Sequence, residues 1–248
     1  MPRRKVSGVM RLLRDLYSPP NRVAERHTVL LRERLAAIGR RPTLLVVGGG
    51  TVGSGASALY DEDGTDVIAF DIYTSPNTQF IADAHSIPLC DRSIDAVWVQ
   101  AVLEHVLDPG RVVNEIEWVL ADDGLVYAET PFLQQVHEGP YDFTRFTESG
   151  HRWLFRRFEL LDSGVVAGPG TQIAWSIDYA VRALFRSPLA GRVARVLGSG
   201  AHLLDRLVPR RFAVDDASCV YFYGRKSERE ISPREIVAHY MGAQRRNV

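Results

Sequence analysis

This sequence of 248 residues contains little cysteine: only Cys90 and Cys219 occur, and they lie far apart along the chain. Two such cysteines do not make a disulfide framework. Without a CxxC pair or a Cys/His cluster, the sequence also predicts no metal site. Cysteine usage of this kind is typical of a reducing compartment, so we predict a cytoplasmic protein.

The sequence also lacks an excess of charge and a long apolar run. Its 30 Lys and Arg residues balance 30 Asp and Glu residues, so no global field would recruit nucleic acid. Arg11, Arg14 and Asp15 interrupt the N-terminus before a signal peptide could form, and no apolar run approaches the roughly 20 residues needed to span a bilayer. We expect the basic residues at 3–5 and 245–246 to be solvated tails.

Short apolar runs that alternate with helical patterns occupy residues 23–129. A first helix is predicted over 23–38, with Val23, Leu30, Leu31, Leu35 and Ile38 on its apolar face. Strands are predicted over 44–47, 67–71, 79–83, 94–99 and 124–129, and a second helix over 109–120. This alternation predicts a parallel sheet that is covered on both faces, with a ligand site at the carboxyl ends of its strands.

After residue 150 the pattern changes to two further strands, over 158–164 and 218–224, with a long helical segment between them. A connection as long as 171–208 predicts an inserted helical subdomain. Extra core, a dimer surface, a substrate lid and contact with a membrane surface all stay open as its role. The predicted organisation is a basic tail and leading helix over 1–41, a main domain over 42–230 and a C-terminal tail over 231–248.

Four glycines follow the first strand, at Gly48, Gly49, Gly50 and Gly53. Glycines at this point let the backbone turn tightly and approach a ligand without interference from a Cβ atom. The next strand ends on Asp71, whose carboxylate could accept hydrogen bonds from both ribose hydroxyls. The pair predicts a ligand that carries adenosine, either a dinucleotide or a sulfonium cofactor.

Two later segments help to separate these ligands. Asp83 ends the third strand and could accept a hydrogen bond from the adenine amine, while the backbone N–H of Ala84 faces a ring nitrogen. A dinucleotide enzyme has no need of a carboxylate there. Gln100 ends the fourth strand and would reach the same crevice. His105 follows on an early helical turn, where a packing or capping role is the simpler interpretation.

Together these residues resemble the class I S-adenosylmethionine (SAM)-dependent methyltransferases, in particular those that methylate small molecules and glycan or lipid precursors. The resemblance covers residues 42–158. It depends on the following motifs: 47–50, Asp71, 82–84 with Pro88, 93–97, 103–106, 124–125 and the string 137–147. It implies an α/β fold with a Rossmann-like, seven-stranded, mostly parallel doubly wound sheet, whose last strand is antiparallel and follows the helical insertion.

The resemblance also implies SAM as the cofactor and a place for each motif around it. Gly48, Gly50 and Gly53, with Gly49 between them, would line the methionine part of SAM. Asp71 would hold the ribose, Asp83 and Ala84 would hold the adenine, and Gln100 would lie near the sulfonium end.

One position departs from the family pattern. The family usually has an acidic residue two positions before the first glycine, where this chain has Val46. Its loss removes an anchor for the ammonium end of the cofactor, and the loop is also longer by one residue before Gly53. Weaker SAM binding, or a SAM-binding protein without catalysis, therefore stays an alternative.

The segment after the fifth strand is where an acceptor would lie. His137 is its candidate general base, because an imidazole titrates near neutrality. Tyr141, Asp142 and Arg145 could orient a polar acceptor, and Arg145 would suit a carboxylate or phosphate. An Asp–Arg pair that only holds the loop in place is the alternative interpretation.

The sequence thus predicts a SAM-dependent enzyme that methylates an oxygen or nitrogen of a small or carbohydrate-like acceptor. The first alternative is an NAD-dependent Rossmann oxidoreductase, because Gly48, Gly50 and Gly53 also satisfy the GxGxxG pattern. The second is a non-catalytic SAM-binding or scaffold protein whose helical insertion pairs with a partner. A homodimer through the insertion is a further possibility, and no nucleic-acid partner is expected.

Overall fold

The computed structural model describes residues 15–61 and 64–245. The basic residues 3–5 and Arg246, predicted to be solvated tails, lie outside these ranges. Among the described residues the structure contains seven strands: β1 (Thr43–Val47), β2 (Asp66–Asp71), β3 (Phe80–Ile81), β4 (Ile94–Gln100), β5 (Leu120–Pro131), β6 (Phe158–Ala167) and β7 (Cys219–Lys226).

The strands form one sheet in the order β3-β2-β1-β4-β5-β7-β6. The first five strands are mutually parallel, and β7 runs antiparallel to both β5 and β6. The predicted fold class is therefore confirmed, including the antiparallel last strand. The carboxyl ends of the parallel strands meet at one edge, where a ligand crevice is expected.

Eight α-helices connect and cover these strands in the described part of the chain: α1 (Arg22–Ala36), α2 (Pro109–Val119), α3 (Glu148–Leu154), α4 (Pro169–Phe185), α5 (Pro188–Leu197), α6 (Leu204–Leu207), α7 (Arg210–Asp215) and α8 (Pro233–His239). Four 3-10 turns join them, at Ser57–Tyr60, Leu103–His105, Gly139–Tyr141 and Gly198–Leu203. The segment between β6 and β7 is thus helical, as predicted. None of the described helices has the length and apolar character required to cross a membrane.

Two apolar clusters lie on opposite faces of the sheet, because successive side chains of a strand point in opposite directions. In β1, Leu45 and Val47 belong to one cluster, while Leu44 and Val46 belong to the other. All four are almost completely buried. Both faces are therefore occupied by packing, which leaves the carboxyl edge of the sheet as the place for a ligand.

The first helix differs from its prediction in both length and apolar face. It ends at Ala36 rather than residue 38, and Leu30 and Ile38 are 37% and 40% exposed. The buried face consists of Ala24, His27, Thr28, Leu31 and Leu35. Helical spacing alone did not distinguish this face, because two of its members are polar residues that the sheet nevertheless buries.

Several other boundaries also shift. β3 is shorter than predicted, and the last two strands continue two or three residues further. β5 begins at Leu120, loses register with β4, and resumes pairing at Leu125. The predicted turn lies inside this irregularity, where Asp123 has a left-handed φ of 62°. After β4 the chain forms a 3-10 turn that contains His105, and not the predicted helix.

Candidate active site

A cavity of about 1290 Å³ opens at the carboxyl edge of the sheet. It brings together most of the residues singled out from the sequence: Gly48, Gly53, Asp71, Asp83, Ala84, Gln100, His137 and Tyr141 all line it. The other predicted site residues do not line the cavity: Gly49, Gly50, Asp142 and Arg145. Ligand pockets commonly measure about 300–1,000 Å³, so this cavity has room for a cofactor and a small acceptor together.

The glycine loop approaches the end of β2 closely. Gly48 has a left-handed φ of 70°, and its backbone packs directly beneath Val102. The N–H of Gly50 donates to Asp71 Oδ2 at 2.9 Å. A Cβ atom on Gly50 would lie 2.7 Å from that oxygen and 2.7 Å from the Tyr73 ring. The loop therefore depends on the absence of side chains, as the sequence pattern predicts.

Two carboxylates lie along the rim of the cavity, one at the end of β2 and one after β3. Asp71 accepts from Gly50 and from the N–H of Ile72, which holds its carboxylate beside the loop. Asp83 accepts from the backbone N–H and Nδ1 of His85, at 2.9 and 2.6 Å. These hydrogen bonds lower the pKa of Asp83, the backbone one most. Both groups offer acceptor oxygens toward the same side of the cavity.

Gln100 lines the cavity with its polar atoms held by neighbouring residues, and its place near the sulfonium end stays a prediction. Its Nε2 donates to Ser54 O at 3.0 Å and to Glu129 Oε2 at 2.9 Å, and its Oε1 accepts from Trp98 Nε1. The side chain thus ties the segment after the glycine loop to β5. It lines the cavity as a fixed part of the wall.

Glu129 is the buried carboxylate of this wall, and sequence reasoning did not single it out. It is 3% exposed and accepts from Tyr127 and Gln100, and both of its oxygens accept from Asn21 Nδ2, at 3.0 and 2.9 Å. Burial raises the pKa of Glu129 despite these hydrogen bonds. A charged residue within the apolar pattern of β5 was the signal available in the sequence. Glu129 and Val46 both line the cavity. The cavity wall therefore contains a buried carboxylate, although Val46 replaces the family's usual acidic residue.

Two histidines that line the cavity lie beside a buried glutamate. His105 and His137 line the cavity, and their rings are 5.0 Å apart. Glu104 Oε1 lies 3.6 Å from His105 Nε2 and 3.8 Å from His137 Nε2. Burial raises the pKa of Glu104 to about 8, and burial also lowers the pKa of His105.

Tyr141, Asp142 and Arg145 hold the loop that follows β5. Tyr141 is 65% exposed, and its carbonyl accepts from His105 Nδ1 at 2.7 Å. Arg145 forms a bidentate pair with Asp142 and also donates to the carbonyls of Gln134 and Gln135. The Arg145 hydrogen bond lowers the pKa of Asp142 to about 2. Asp142 and Arg145 are paired with each other and do not line the cavity, so their contact with an acceptor stays a prediction.

A family model described as "Methyltransferase domain" matches residues 45–128. This match covers β1 to β5, and with them the glycine loop, both rim carboxylates and Gln100. Over residues 45–128 the prediction of a SAM-dependent methyltransferase domain, with SAM as its cofactor, is thereby confirmed. The domain match favours this enzyme over the NAD-dependent alternative.

Solved structures agree with this fold at low sequence identity. A putative sarcosine dimethylglycine methyltransferase from Galdieria sulphuraria is 17% identical and superposes with a TM-score of 0.52, over 82% of this chain and 86% of that one. A phosphoethanolamine N-methyltransferase from Haemonchus contortus, in complex with SAM, is 14% identical with a TM-score of 0.51, over 91% of this chain and 59% of that one. No curated protein matches the sequence.

Proposed function

We propose that this enzyme methylates an oxygen or nitrogen of a small, anionic, carbohydrate-like acceptor. The observation that carries the proposal is the continuity of one cavity between the rim carboxylates and the two histidines. Asp71, Asp83 and the glycine loop would hold SAM on one side, and SAM supplies the electrophilic methyl group. The part of the cavity lined by His105 and His137 is then left for the acceptor, and alignment of its oxygen or nitrogen with the methyl group is what in-line transfer requires.

His137 is the proposed general base. Its Nδ1 lies 3.2 Å from the carbonyl oxygen of Gln135, which can only accept a hydrogen bond, so Nδ1 carries the hydrogen in the neutral ring. Its Nε2 then has the lone pair that takes a proton from an acceptor hydroxyl or amine. General base catalysis of this kind contributes roughly 100- to 10,000-fold.

Arg195 favours an acceptor with a phosphate or carboxylate. It lines the cavity from α5, is 2% exposed and lies over the ring of Trp175 at 3.8 Å. Its Nε and Nη1 have no hydrogen-bond partner among the described residues. Arg195 also lies over the ring of Tyr17 at 4.1 Å. A buried guanidinium with donors that lack partners can bind an anion, and its planar shape suits bidentate binding. Arg195 therefore takes the role that the sequence assigned to Arg145.

The test uses labelled SAM and a panel of small acceptors with and without a phosphate or carboxylate, such as sugar phosphates and the matching free sugars. We expect transfer to anionic acceptors, and we expect Arg195→Met to raise KM for them while Kd for SAM is unchanged. Arg192→Met, at an exposed arginine of the same helix, is the matched control. Equal transfer to charged and neutral acceptors by wild type and Arg195→Met would contradict an anionic acceptor.

The helical insertion also has an outer face, which we propose contacts an anionic membrane surface. Exposed apolar side chains over 184–212 that do not line the cavity are Leu184, Phe185, Leu189, Val193, Leu197, Leu204, Leu207 and Phe212. Exposed arginines of the same segment that do not line it are Arg186, Arg192, Arg210 and Arg211. Its only carboxylate, Asp205, is held by Gly170 and Thr171. Apolar and basic groups together fit an anionic lipid surface, whereas two copies of this face would bring like charges together.

A further inference from the structure

The proposed function does not use the carboxylate of Glu104. This side chain is fully buried, and neither of its oxygens has a hydrogen-bond partner among the described residues. Native structures rarely leave a buried carboxylate in this condition without a functional reason. The Nε2 atoms of His105 and His137 lie 3.6 and 3.8 Å from Glu104 Oε1.

Both imidazoles present a lone pair to this carboxylate. His105 Nδ1 is 2.7 Å from Tyr141 O, and His137 Nδ1 is 3.2 Å from Gln135 O. A carbonyl oxygen only accepts, so each Nδ1 carries the ring hydrogen and each Nε2 is free of one. Metal-binding histidines are typically oriented by such a hydrogen bond from their other nitrogen.

The spacing of the three atoms fits a metal ion better than a shared proton. Hydrogen bonds between nitrogen and oxygen have lengths of about 2.7–3.2 Å, which both Glu104 distances exceed. Ligand atoms at about 2.0–2.1 Å from a tetrahedral zinc ion are about 3.4 Å apart. The three ligand atoms all lie within 4.8 Å of one another, so a small contraction completes the site.

We propose that Glu104, His105 and His137 bind one divalent transition-metal ion, with zinc as the expected metal. Two imidazoles and one carboxylate are a ligand set of catalytic zinc sites, which keep a fourth position open. The side chains of His105 and His137 are 20% and 21% exposed and line the cavity, so that position faces the acceptor. The proposal departs from the sequence-based expectation of no metal site. The sequence gives no compact spacing, because 32 positions separate His105 from His137.

The metal would also narrow the proposed function, on which this step rests. An acceptor hydroxyl bound at the open position would have a lowered pKa, so its proton would leave more readily and its oxygen would be the better nucleophile. Because His137 Nε2 would then coordinate the metal, His137 would not act as the general base. The proton would go to solvent, and the oxygen would take the methyl group from the sulfur of SAM. A metal at this site therefore favours an oxygen acceptor over a nitrogen acceptor.

The experiment measures zinc binding to the full chain after removal of metal with a chelator. All samples carry Cys90→Ser, because Cys90 is an exposed thiol that could bind zinc by itself. We expect one zinc ion per chain, and an affinity that falls roughly 100-fold or more in Glu104→Gln and in His137→Ala. Cobalt at the same site should give the visible absorption of a four-coordinate ion, which both variants lose.

Glu148→Gln is the matched control. Glu148 is also buried and lies 2.7 Å from a histidine nitrogen, on His239, but it belongs to no group of three possible metal ligands in the described part of the chain. It should bind zinc like the parent protein. Thermal unfolding checks that each variant is folded.

Absence of stoichiometric zinc in the parent protein, or equal affinity in the Glu104→Gln and Glu148→Gln variants, would overturn the proposal. SAM binding is measured on the same samples, which separates the two proposals. Protein that binds SAM without zinc contradicts the metal site alone. Protein that binds zinc without SAM contradicts the proposed function alone.

Discussion

Single residues at the rim of the cavity have distinct tasks that their hydrogen bonds define. Asp71 contacts the glycine loop through Gly50 and faces the cavity with its remaining acceptor capacity. Gln100 and Glu129, in contrast, direct their polar atoms at each other. The affinity for a ligand should therefore depend directly on Asp71. It should depend on Gln100 and Glu129 only through the shape of the cavity wall.

Replacement of Asp71 tests this assignment. We expect Asp71→Ala to weaken SAM binding about 10- to 100-fold, because hydrogen bonds to a charged group contribute roughly 1.5–3 kcal/mol each. Asp66→Ala is the matched control: this residue begins the same strand, at its far end, and is paired with Arg41 at the surface. An equal effect of the two substitutions on SAM affinity would remove Asp71 from the cofactor site. Titration calorimetry measures both.

The free energy of unfolding should depend on pH through the single side chain of His151. It is 1% exposed, and neither ring nitrogen has a hydrogen-bond partner in the described part of the chain. Burial lowers the pKa of His151 from 6.5 to about 3. Below pH 6.5 the unfolded state therefore takes up a proton that the folded state refuses, and the free energy of unfolding decreases as the pH falls toward 3.

The change to test is His151→Leu, which fills similar space without a titratable group. Between about pH 7.5 and about pH 5.5 the wild type should lose about 1.4 kcal/mol more of its free energy of unfolding than the variant does. Denaturant unfolding at the two pH values measures the difference. Parallel curves for the two proteins would show that His151 is not a buried neutral imidazole.

Some secondary-structure elements could be predicted from the sequence, and others could not. β1, β2 and β4 are apolar runs whose period and length identify them, and the glycines mark where β1 ends. The 3-10 turn at Leu103–His105 was not predictable, because the same residues also suit a helical turn and only packing decides between them. The approach of His105 to His137 depends on the path of the loop after β5, which no local pattern encodes.

The N-terminus of α1 is joined to the cavity wall by the side chain of Asn21. Asn21 caps this helix by accepting from the N–H of Ala24, and the same side chain donates to both oxygens of Glu129. The cap is readable from sequence, but the second contact joins residues 108 positions apart. Long-range polar contacts of this kind are the part of the site that sequence reasoning missed.

Asn21→Ala removes both contacts at once. An N-cap contributes about 0.5–2 kcal/mol, and a buried carboxylate that loses a partner adds about 1–3 kcal/mol. Ser187→Ala removes only the cap of α5, where Ser187 accepts from Ala190, and is the matched control. Denaturant unfolding should show that Asn21→Ala is the more destabilising by at least about 1 kcal/mol. Equal losses of unfolding free energy in the two variants would mean that the contact between Asn21 and Glu129 does not stabilise the protein.

At the scale of the whole molecule, the outer face of the insertion contrasts with a chain whose net charge is zero. We expect the protein to sediment with vesicles that contain anionic lipid and not with vesicles of zwitterionic lipid alone, and we expect salt to weaken the association. The double variant Leu189→Gln/Leu197→Gln should lose binding, because these side chains are 68% and 81% exposed on one helix.

Val29→Gln/Val237→Gln is the matched control, since these valines are exposed on other helices. It should bind vesicles like the wild type. Binding that is equal for both double variants would exclude the insertion as the membrane face. Concentration-dependent dimerisation that Leu189→Gln/Leu197→Gln abolishes would instead assign the face to a second copy of the chain.

The central claim is that the cavity at the carboxyl edge of the sheet binds SAM. Equilibrium dialysis of the whole protein against radiolabelled SAM tests it most directly. We expect one bound SAM per chain, displaced by S-adenosylhomocysteine but not by NADH, with binding weakened in Asp71→Ala and retained in Asp66→Ala. No bound label at millimolar SAM, or displacement of the label by NADH, would contradict it.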